Sequence, residues 1–291
     1  MTARLLSGGD SMRYRHLTYP AYRVFFTDPP PDNVVVAGIE TDGIPTGMGF
    51  CRLSPDYFEI GSLYSMLASL GIDDRAAILA VLMDEAARRG LGRGVFSPTL
   101  AQGDQATTAL LAAAGWTGPR IRTVVARATT QAMLTLPFIH RGMIAPGYAV
   151  CPWGELPAGA RAQLRERIDS IAPEIRIYID PFAIEARADP VHSVALLEKG
   201  RIIAWHLPEQ IEDQLMRWTC SAGLPEARGI SIFMLWVHAL HRQQEAGIAE
   251  LVWGVPMILA RMVRFVEQRL RPIASSLSYG ASFDFHARAT P

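Results

Sequence analysis

Hydrophobic and polar positions follow the same order in the two halves of the chain. Each half has an apolar strand, a tight turn and a second strand, and the turns are Asp42-Gly43 and Lys199-Gly200. Glycine supplies the positive φ that such hairpin turns require. A run rich in β-forming residues precedes each hairpin and ends in Asp-Pro, which predicts extended segments before residues 28 and 180. A third strand follows each hairpin, at 57–65 and 214–220.

A long helical pattern follows the third strand in each half. Apolar residues three and four positions apart predict helices over 73–89 and 230–246, which end at Gly90 and Gly247. A short strand, a second helix and a final strand come next, at 94–97, 104–114 and 122–128, and again at 249–253, 257–270 and 276–283. The second half also begins with a strand over 148–150 and a helix over 157–171.

This order predicts two α+β domains in tandem, at 1–135 and 136–291. Each is expected to have a central mixed, mostly antiparallel sheet flanked by helices. A length of 291 residues is typical of two domains.

Composition removes several classes of function. Lys plus Arg and Asp plus Glu both number 28, so the net charge is zero and the sequence predicts no nucleic-acid partner. No apolar stretch is long enough to span a bilayer, which predicts no membrane partner. The three cysteines, Cys51, Cys151 and Cys220, lie far apart without a CxxC pair, which argues against a disulfide framework or a zinc ribbon. We expect a cytoplasmic protein with reduced thiols; a homodimer stays open.

The element order resembles the GNAT acyltransferase fold, and two such units resemble a tandem GNAT protein. The most specific element of that family is a loop, R/Q-x-x-G-x-G/A, whose backbone amides bind the diphosphate of coenzyme A at a helix N-terminus. The second half has Arg228-Gly229-Ile230-Ser231-Ile232-Phe233 at this place. Ser231 and Phe233 depart from the glycines of the pattern.

The resemblance implies acetyl-CoA or another acyl-CoA as co-substrate in the second half, without a metal. It also implies which residues bind the co-substrate. They belong to the third strand and to the loop: Trp218, Thr219, Cys220, Arg228, Gly229, Ile230, Ser231 and Ile232.

The corresponding loop of the first half is acidic. Asp73 and Asp74 stand where the diphosphate would lie, and like charges at this distance repel each other. Aspartates at a helix N-terminus instead cap the helix and match its dipole. We therefore expect the first domain to bind no cofactor. The competing interpretation is that Arg75 reaches back and restores a site.

The resemblance implies direct attack of an amine on the thioester, with a tyrosine of the last helix often acting as acid. Leu111 and Phe265 occupy the tyrosine place in the two halves, so this acid is missing from both. Glu212, before the third strand of the second half, is the candidate base, and Tyr279, on the last strand, is the candidate hydroxyl donor.

The histidines and tryptophans of the second half have simpler interpretations. His206 is expected to be structural, and His238 with His241 lacks the third ligand of a metal site. The tryptophans of the second half are expected to pack in the core and not to form an aromatic box for a substrate.

The sequence therefore predicts an acyl-CoA-dependent N-acyltransferase for a small amine-bearing metabolite held between the halves. Two alternatives stay open. One is a GNAT-fold protein that binds an acyl-CoA or another ligand without turnover. The other is a GNAT-fold enzyme with another donor or reaction, such as aminoacyl transfer or decarboxylation.

Overall fold

The chain divides into two compact units. A computed structural model describes residues 2–70, 74–139, 146–227 and 230–287. The first unit consists of Met1–Arg122 and Tyr279–Pro291, and the second of Thr123–Ser278. These units are defined by the contacts between residues in space. The predicted boundary at 135/136 is defined by the repeated order of elements along the sequence, and it stays a prediction.

The first half of the chain contains seven strands and three helices within its described residues. The strands are β1 Arg4–Leu5, β2 Val34–Thr41, β3 Ile44–Leu53, β4 Phe58–Ser65, β5 Arg93–Phe96, β6 Thr99–Ala101 and β7 Thr117–Thr129. The helices are α1 Gly8–Arg13, α2 Arg75–Arg88 and α3 Gln105–Ala113.

The second half contains six further helices and six strands within its described residues. The helices are α4 Thr130–Leu134, α5 Ala158–Asp169, α6 Pro173–Ile179, α7 Pro181–Ile184, α8 Ile230–Glu245 and α9 Ala260–Phe265, the last continued by a π-helical turn at Val266–Leu270. The strands are β8 Tyr148–Pro152, β9 Val194–Glu198, β10 Arg201–Glu212, β11 Leu215–Gly223, β12 Glu250–Pro256 and β13 Ser276–His286.

Each unit completes its sheet with a strand from the opposite half of the sequence. In the first unit the order is β1-β2-β3-β4-β5-β13, and Phe283 of β13 pairs with Phe96 of β5. In the second unit the order is β7-β12-β11-β10-β9-β8, and residues 123–129 of β7 pair with β12. Neighbouring strands are antiparallel except for β4 with β5 and β11 with β12, which are parallel. Both sheets are therefore mixed and mostly antiparallel, as the sequence predicts.

Apolar side chains cover both faces of each sheet. In the first unit α2 presents Ile78, Leu79 and Leu82, all fully buried, to a core that also contains Phe283. In the second unit the α5 face includes Leu164, Ile168 and Trp205, and the α8 face includes Val194, Leu196 and Leu235.

The hairpin turns are confirmed, whereas the segments before them are not extended. Asp42 and Gly43 have φ of 53° and 78°, and Lys199 and Gly200 have φ of 49° and 77°. The segments before the two Asp-Pro pairs are helical, at Pro20–Phe25 and Pro173–Ile179. Proline in the first turn of each segment explains the difference, because its fixed φ favours helix initiation.

None of the described helices is both long and apolar enough to span a membrane.

Candidate functional site

The parallel strands β11 and β12 part within the second unit. They pair from Leu215 with Glu250 to Trp218 with Trp253, and no further pair joins them in this described part of the chain. Beyond that point β11 continues along β10 as far as Gly223, and β12 continues along β7 as far as Pro256. We call the place where they part, at Trp218 and Trp253, the fork. Beyond the fork, no strand among the described residues pairs with β11 on its β12 side, and we call this stretch its free edge.

A bulge lies directly at the fork. Arg217 pairs with Glu209 and Cys220 with Leu207, so Trp218 and Thr219 together oppose Pro208. Proline has no N–H to donate to the neighbouring strand, and an irregular register is common where one occurs in a sheet.

The predicted cofactor residues of β11 differ in what their side chains can reach. Trp218 is only 1% exposed, and the buried Cys220 donates its thiol hydrogen to the carbonyl of Ile179 at 3.3 Å. Burial raises the pKa of the Cys220 thiol to about 12, which makes it inert as a nucleophile near neutral pH. Thr219 is half-buried. Their binding role stays a prediction, and at Cys220 it falls to the backbone.

Helix α8 begins shortly after the free edge of β11 ends. Arg228 and Gly229 of the predicted loop lie outside the described residues. Ile230 and Ser231 form the start of α8, and the side chain of Ile232 is half-buried. The diphosphate-binding role of this loop therefore stays a prediction.

The two aromatic departures from the family pattern contact each other. The rings of Phe233 and Phe265 are 5.5 Å apart, and both contact Phe138, at 4.9 and 5.4 Å. Phe233 also packs edge-on against Trp236 at 5.2 Å. Phe233 thus turns away from the helix start into an apolar cluster. The place of the family tyrosine holds a ring that cannot donate a proton.

This cluster reaches the fork through three tryptophans. The rings of Trp236 and Trp253 are 4.7 Å apart, and the ring of Trp218 lies 5.6 Å from Trp236 and 6.2 Å from Trp253. All three are at most 5% exposed, as expected for core residues. The aromatic cluster, as we use the term, consists of Phe138, Trp218, Phe233, Trp236, Trp253 and Phe265.

His206 borders the aromatic cluster and is neutral. Its ring is fully buried, 4.8 Å from that of Trp218, and its Nδ1 lies 2.5 Å from the Oγ of Ser221. Burial lowers the pKa of His206 to about 3, and the nearby His192 and His238 act in the same direction. Such a ring does not take up a proton near neutral pH, which agrees with a structural role.

The structure places the two candidate catalytic residues in different units. Glu212 is exposed at the end of β10 and pairs with Leu215, three residues before the fork, a distance of about 10 Å along a strand. Tyr279 belongs to the first unit, where it lines a cavity of about 350 Å³ with residues such as Leu100, Thr108 and Ile121. Their catalytic roles stay predictions.

The first unit has a similar parting of parallel strands. Strands β4 and β5 pair from Phe58 with Gly94 to Ile60 with Phe96. Asp73 lies outside the described residues. Asp74 is only 9% exposed directly before α2, and neither of its carboxylate oxygens has a hydrogen-bond partner among the described residues, so its side chain does not cap the helix as expected. The expectation that this loop binds no diphosphate stays a prediction.

Arg75 is held within the first unit by a neighbouring helix. Its Nη1 donates to the Oγ1 of Thr107 at 3.0 Å, and that hydroxyl donates to Asp104 at 2.9 Å. These contacts direct Nη1 toward α3, and the interpretation that Arg75 restores a diphosphate site stays untested. Across the described residues, no group of three or more His, Cys, Asp or Glu side chains is arranged to hold a metal ion.

The sequence did not indicate two of the residues beside the fork. Ser221 and Phe138 carry no motif, and their importance comes only from contacts with His206 and Phe233. The one available signal was that Ser221 continues the strand that the family uses for its co-substrate.

Known proteins resemble this chain in structure and not in sequence. No protein-family model matches the sequence, and no curated protein matches it significantly. Among solved structures, it is similar to a tandem GNAT protein from the clavulanic acid biosynthesis pathway, with a TM-score of 0.63 and 13% identity over 99% of this chain and 100% of the other.

Two further solved structures are similar to this chain over nearly its whole length. A GCN5-related N-acetyltransferase from Sphaerobacter thermophilus has a TM-score of 0.56 and 12% identity over 99% of this chain and 96% of the other. A glucosamine N-acetyltransferase region of a fungal multi-domain GH3 β-N-acetylglucosaminidase has a TM-score of 0.54 and 10% identity over 97% of this chain and 38% of the other. This chain therefore has the α+β fold of the tandem GNAT proteins.

Proposed function

We propose that the second unit binds an acyl-CoA, acetyl-CoA first among them, and transfers the acyl group to the amine of a small metabolite. The fork carries this proposal. An unpaired strand edge offers backbone N–H and C=O groups to an extended ligand with amide groups of its own, as another strand would. Helix α8 begins shortly after that edge, and a helix N-terminus attracts a diphosphate.

The reaction needs little covalent chemistry from the protein. The uncharged amine attacks the thioester carbonyl carbon, the C–S bond breaks, and the products are an amide and the free thiol of coenzyme A. One proton leaves the amine and one reaches the thiolate, so the protons balance. Glu212 is the proposed acceptor of the amine proton. Its partner Leu215 lies about 10 Å along the strand from the fork, so the proton would reach Glu212 through water. Tyr279 stays a proposed hydroxyl donor.

The second unit is favoured over the first because of charge. The buried carboxylate of Asp74 stands at the start of α2, where a diphosphate would have to bind. At the start of α8 the sequence instead supplies Arg228. The first unit is therefore proposed to bind no coenzyme A.

One observation favours a second candidate function, namely binding without turnover. The ring at the tyrosine place is that of Phe265, and the buried His206 beside the fork is neutral, so neither supplies a proton. If Glu212 and Tyr279 also take no part, the second unit retains a ligand but does not transfer its acyl group.

Calorimetric titration of the full chain with acetyl-CoA tests the proposal. We expect one site per chain. Arg228→Glu should weaken binding at least tenfold, because it replaces the proposed diphosphate partner by a like charge. The matched control, Asp74→Ala, changes the corresponding place in the first unit and should leave the affinity unchanged. No binding of acetyl-CoA or longer acyl-CoAs to the wild type would refute the proposal.

Turnover separates the two candidate functions. Loss of thioester absorbance is followed with acetyl-CoA and a panel of small amines. Amine-dependent loss supports an acyltransferase. Tight binding without loss for any amine supports the alternative.

A further inference from the structure

Two tryptophans at the fork carry indole N–H groups that lack a hydrogen-bond partner. Trp218 and Trp236 are 1% and 0% exposed, and no acceptor among the described residues receives a hydrogen bond from either Nε1. By contrast, the Nε1 of Trp205, also fully buried, donates to the carbonyl of Ile179 at 2.9 Å. A buried donor without a partner destabilises a protein, and native structures contain few of them.

A ring that contacts Trp218 carries a third unpaired polar atom. The Nδ1 of His206 is engaged by the hydroxyl of Ser221, whereas its Nε2 has no partner among the described residues. When Ser221 donates to Nδ1, the hydrogen of the neutral ring is on Nε2. The rings of His206, Trp218 and Trp236 are in consecutive contact, at 4.8 and 5.6 Å. Each of three rings in consecutive contact thus carries an unpaired polar atom.

The two indole N–H groups belong to residues at the fork, where one end of a ligand on the free edge of β11 would lie. The diphosphate end of an extended ligand on that edge would lie at the start of α8. Its other end would then lie at the fork, where Trp218 is the last paired residue. The acyl group of an acyl-CoA would therefore meet the two unpaired indoles. Phe233 and Phe265, which contact each other in the same cluster, are both half-buried.

We propose that the second unit selects an uncharged acyl group with an oxygen beyond the thioester carbonyl, such as an oxoacyl or hydroxyacyl group, which accepts hydrogen bonds from Trp218 and Trp236. This inference rests on the proposed function. An acyl chain without oxygen leaves both donors unpaired. A carboxylate would be buried among aromatic rings beside a neutral imidazole, which is far more costly than burying a hydrogen-bonded carbonyl.

A pair of thioesters of equal chain length tests the inference. Butanoyl-CoA has a methylene group at the position where 3-oxobutanoyl-CoA has a carbonyl group. We expect the full chain to bind the oxo compound at least tenfold more tightly, because a site with buried donors discriminates against a ligand that leaves them unpaired.

The matched variants remove the donor and keep an aromatic ring. Trp218→Phe and Trp236→Phe should each reduce the preference at least threefold, mainly by weakening binding of the oxo compound. The control Trp205→Phe loses an indole N–H whose acceptor is already internal, so the preference should persist. Far-UV circular dichroism checks that each variant is folded.

Indole N–H resonances give a readout independent of affinity. In the uniformly ¹⁵N-labelled chain, the signals missing from the Trp218→Phe and Trp236→Phe spectra assign the two donors. Both should shift with 3-oxobutanoyl-CoA more than with butanoyl-CoA. Equal affinities for the two thioesters, or a preference that survives both substitutions, would overturn the inference. Failure of both thioesters and of acetyl-CoA to bind would instead refute the proposed function.

Discussion

Phe283 tests whether the first unit depends on the strand supplied by the second half of the sequence. Its ring is 1% exposed in the core that includes Ile78, Leu79 and Leu82, and its backbone pairs with Phe96 of β5. Phe283→Ala leaves a cavity in this core and is expected to lower the free energy of unfolding by about 3–5 kcal/mol. With a urea m-value of about 2 kcal/mol/M, the midpoint should fall by roughly 1.5–2.5 M.

Trp116 makes the measurement specific to the first unit. It is the single tryptophan of that unit and is 4% exposed, whereas the other five belong to the second unit. Its indole N–H resonance, followed through a urea titration, therefore reports on the first unit alone.

The control lies on the same strand. His286 is exposed on β13, and His286→Ala should change stability by no more than about 0.5 kcal/mol. If the Trp116 midpoint of Phe283→Ala equals that of His286→Ala, then β13 does not stabilise the first unit, and our assignment of this strand is wrong.

The remaining predictions concern a matched pair of helix starts, a thiol and a pH dependence. Asp104→Ala should lower the free energy of unfolding in urea by about 1 kcal/mol, because this carboxylate accepts a hydrogen bond from the backbone N–H of Thr107 at 3.0 Å. Asp74→Ala should lower it less, since the oxygens of Asp74 have no partner among the described residues. At pH 8 a thiol reagent should modify only Cys151 rapidly, and Cys151→Ser should abolish this phase. Burial raises the pKa of all three thiols, but Cys151 is half-buried, whereas Cys51 and Cys220 are buried and their pKa is raised to about 12. The unfolded chain binds a proton at His206 below pH 6.5, whereas the folded chain binds one only near pH 3. The free energy of unfolding should therefore decrease as the pH is lowered through this window, by about 2 kcal/mol between pH 6.5 and pH 5. His206→Gln should remove this component of the pH dependence.

Local signals in the sequence predicted most elements. The hairpin turns follow from residues such as Asp42-Gly43, and helix α8 follows from apolar spacing that ends at Gly247. The segment before Asp180 shows the limit of such signals. Its β-forming residues favour a strand, but Pro173 at the helix start and the carboxylate of Asp180 at the next helix decide for helices.

The pattern of apolar and polar residues did not predict contacts between residues far apart in the sequence. Apolar alternation in β13 predicts a strand, but the pattern carries no information on which strand it pairs with. The family resemblance identified Phe233 and Phe265 as departures at separate positions. Their mutual contact follows only from the packing of α8 with α9, since the sequence gives the apolar face of each helix and not its partner.

The exchange of strands has a consequence for synthesis on the ribosome. Domains of multidomain proteins generally fold as units in the order in which they emerge. The first unit cannot follow that order, because residues 279–286, which pair with β5, are translated after the whole of the second unit. While the ribosome makes residues 123–278, β5 has no partner on that side and is open to incorrect pairing. We therefore expect the first unit to reach its final fold only after the last strand has been made.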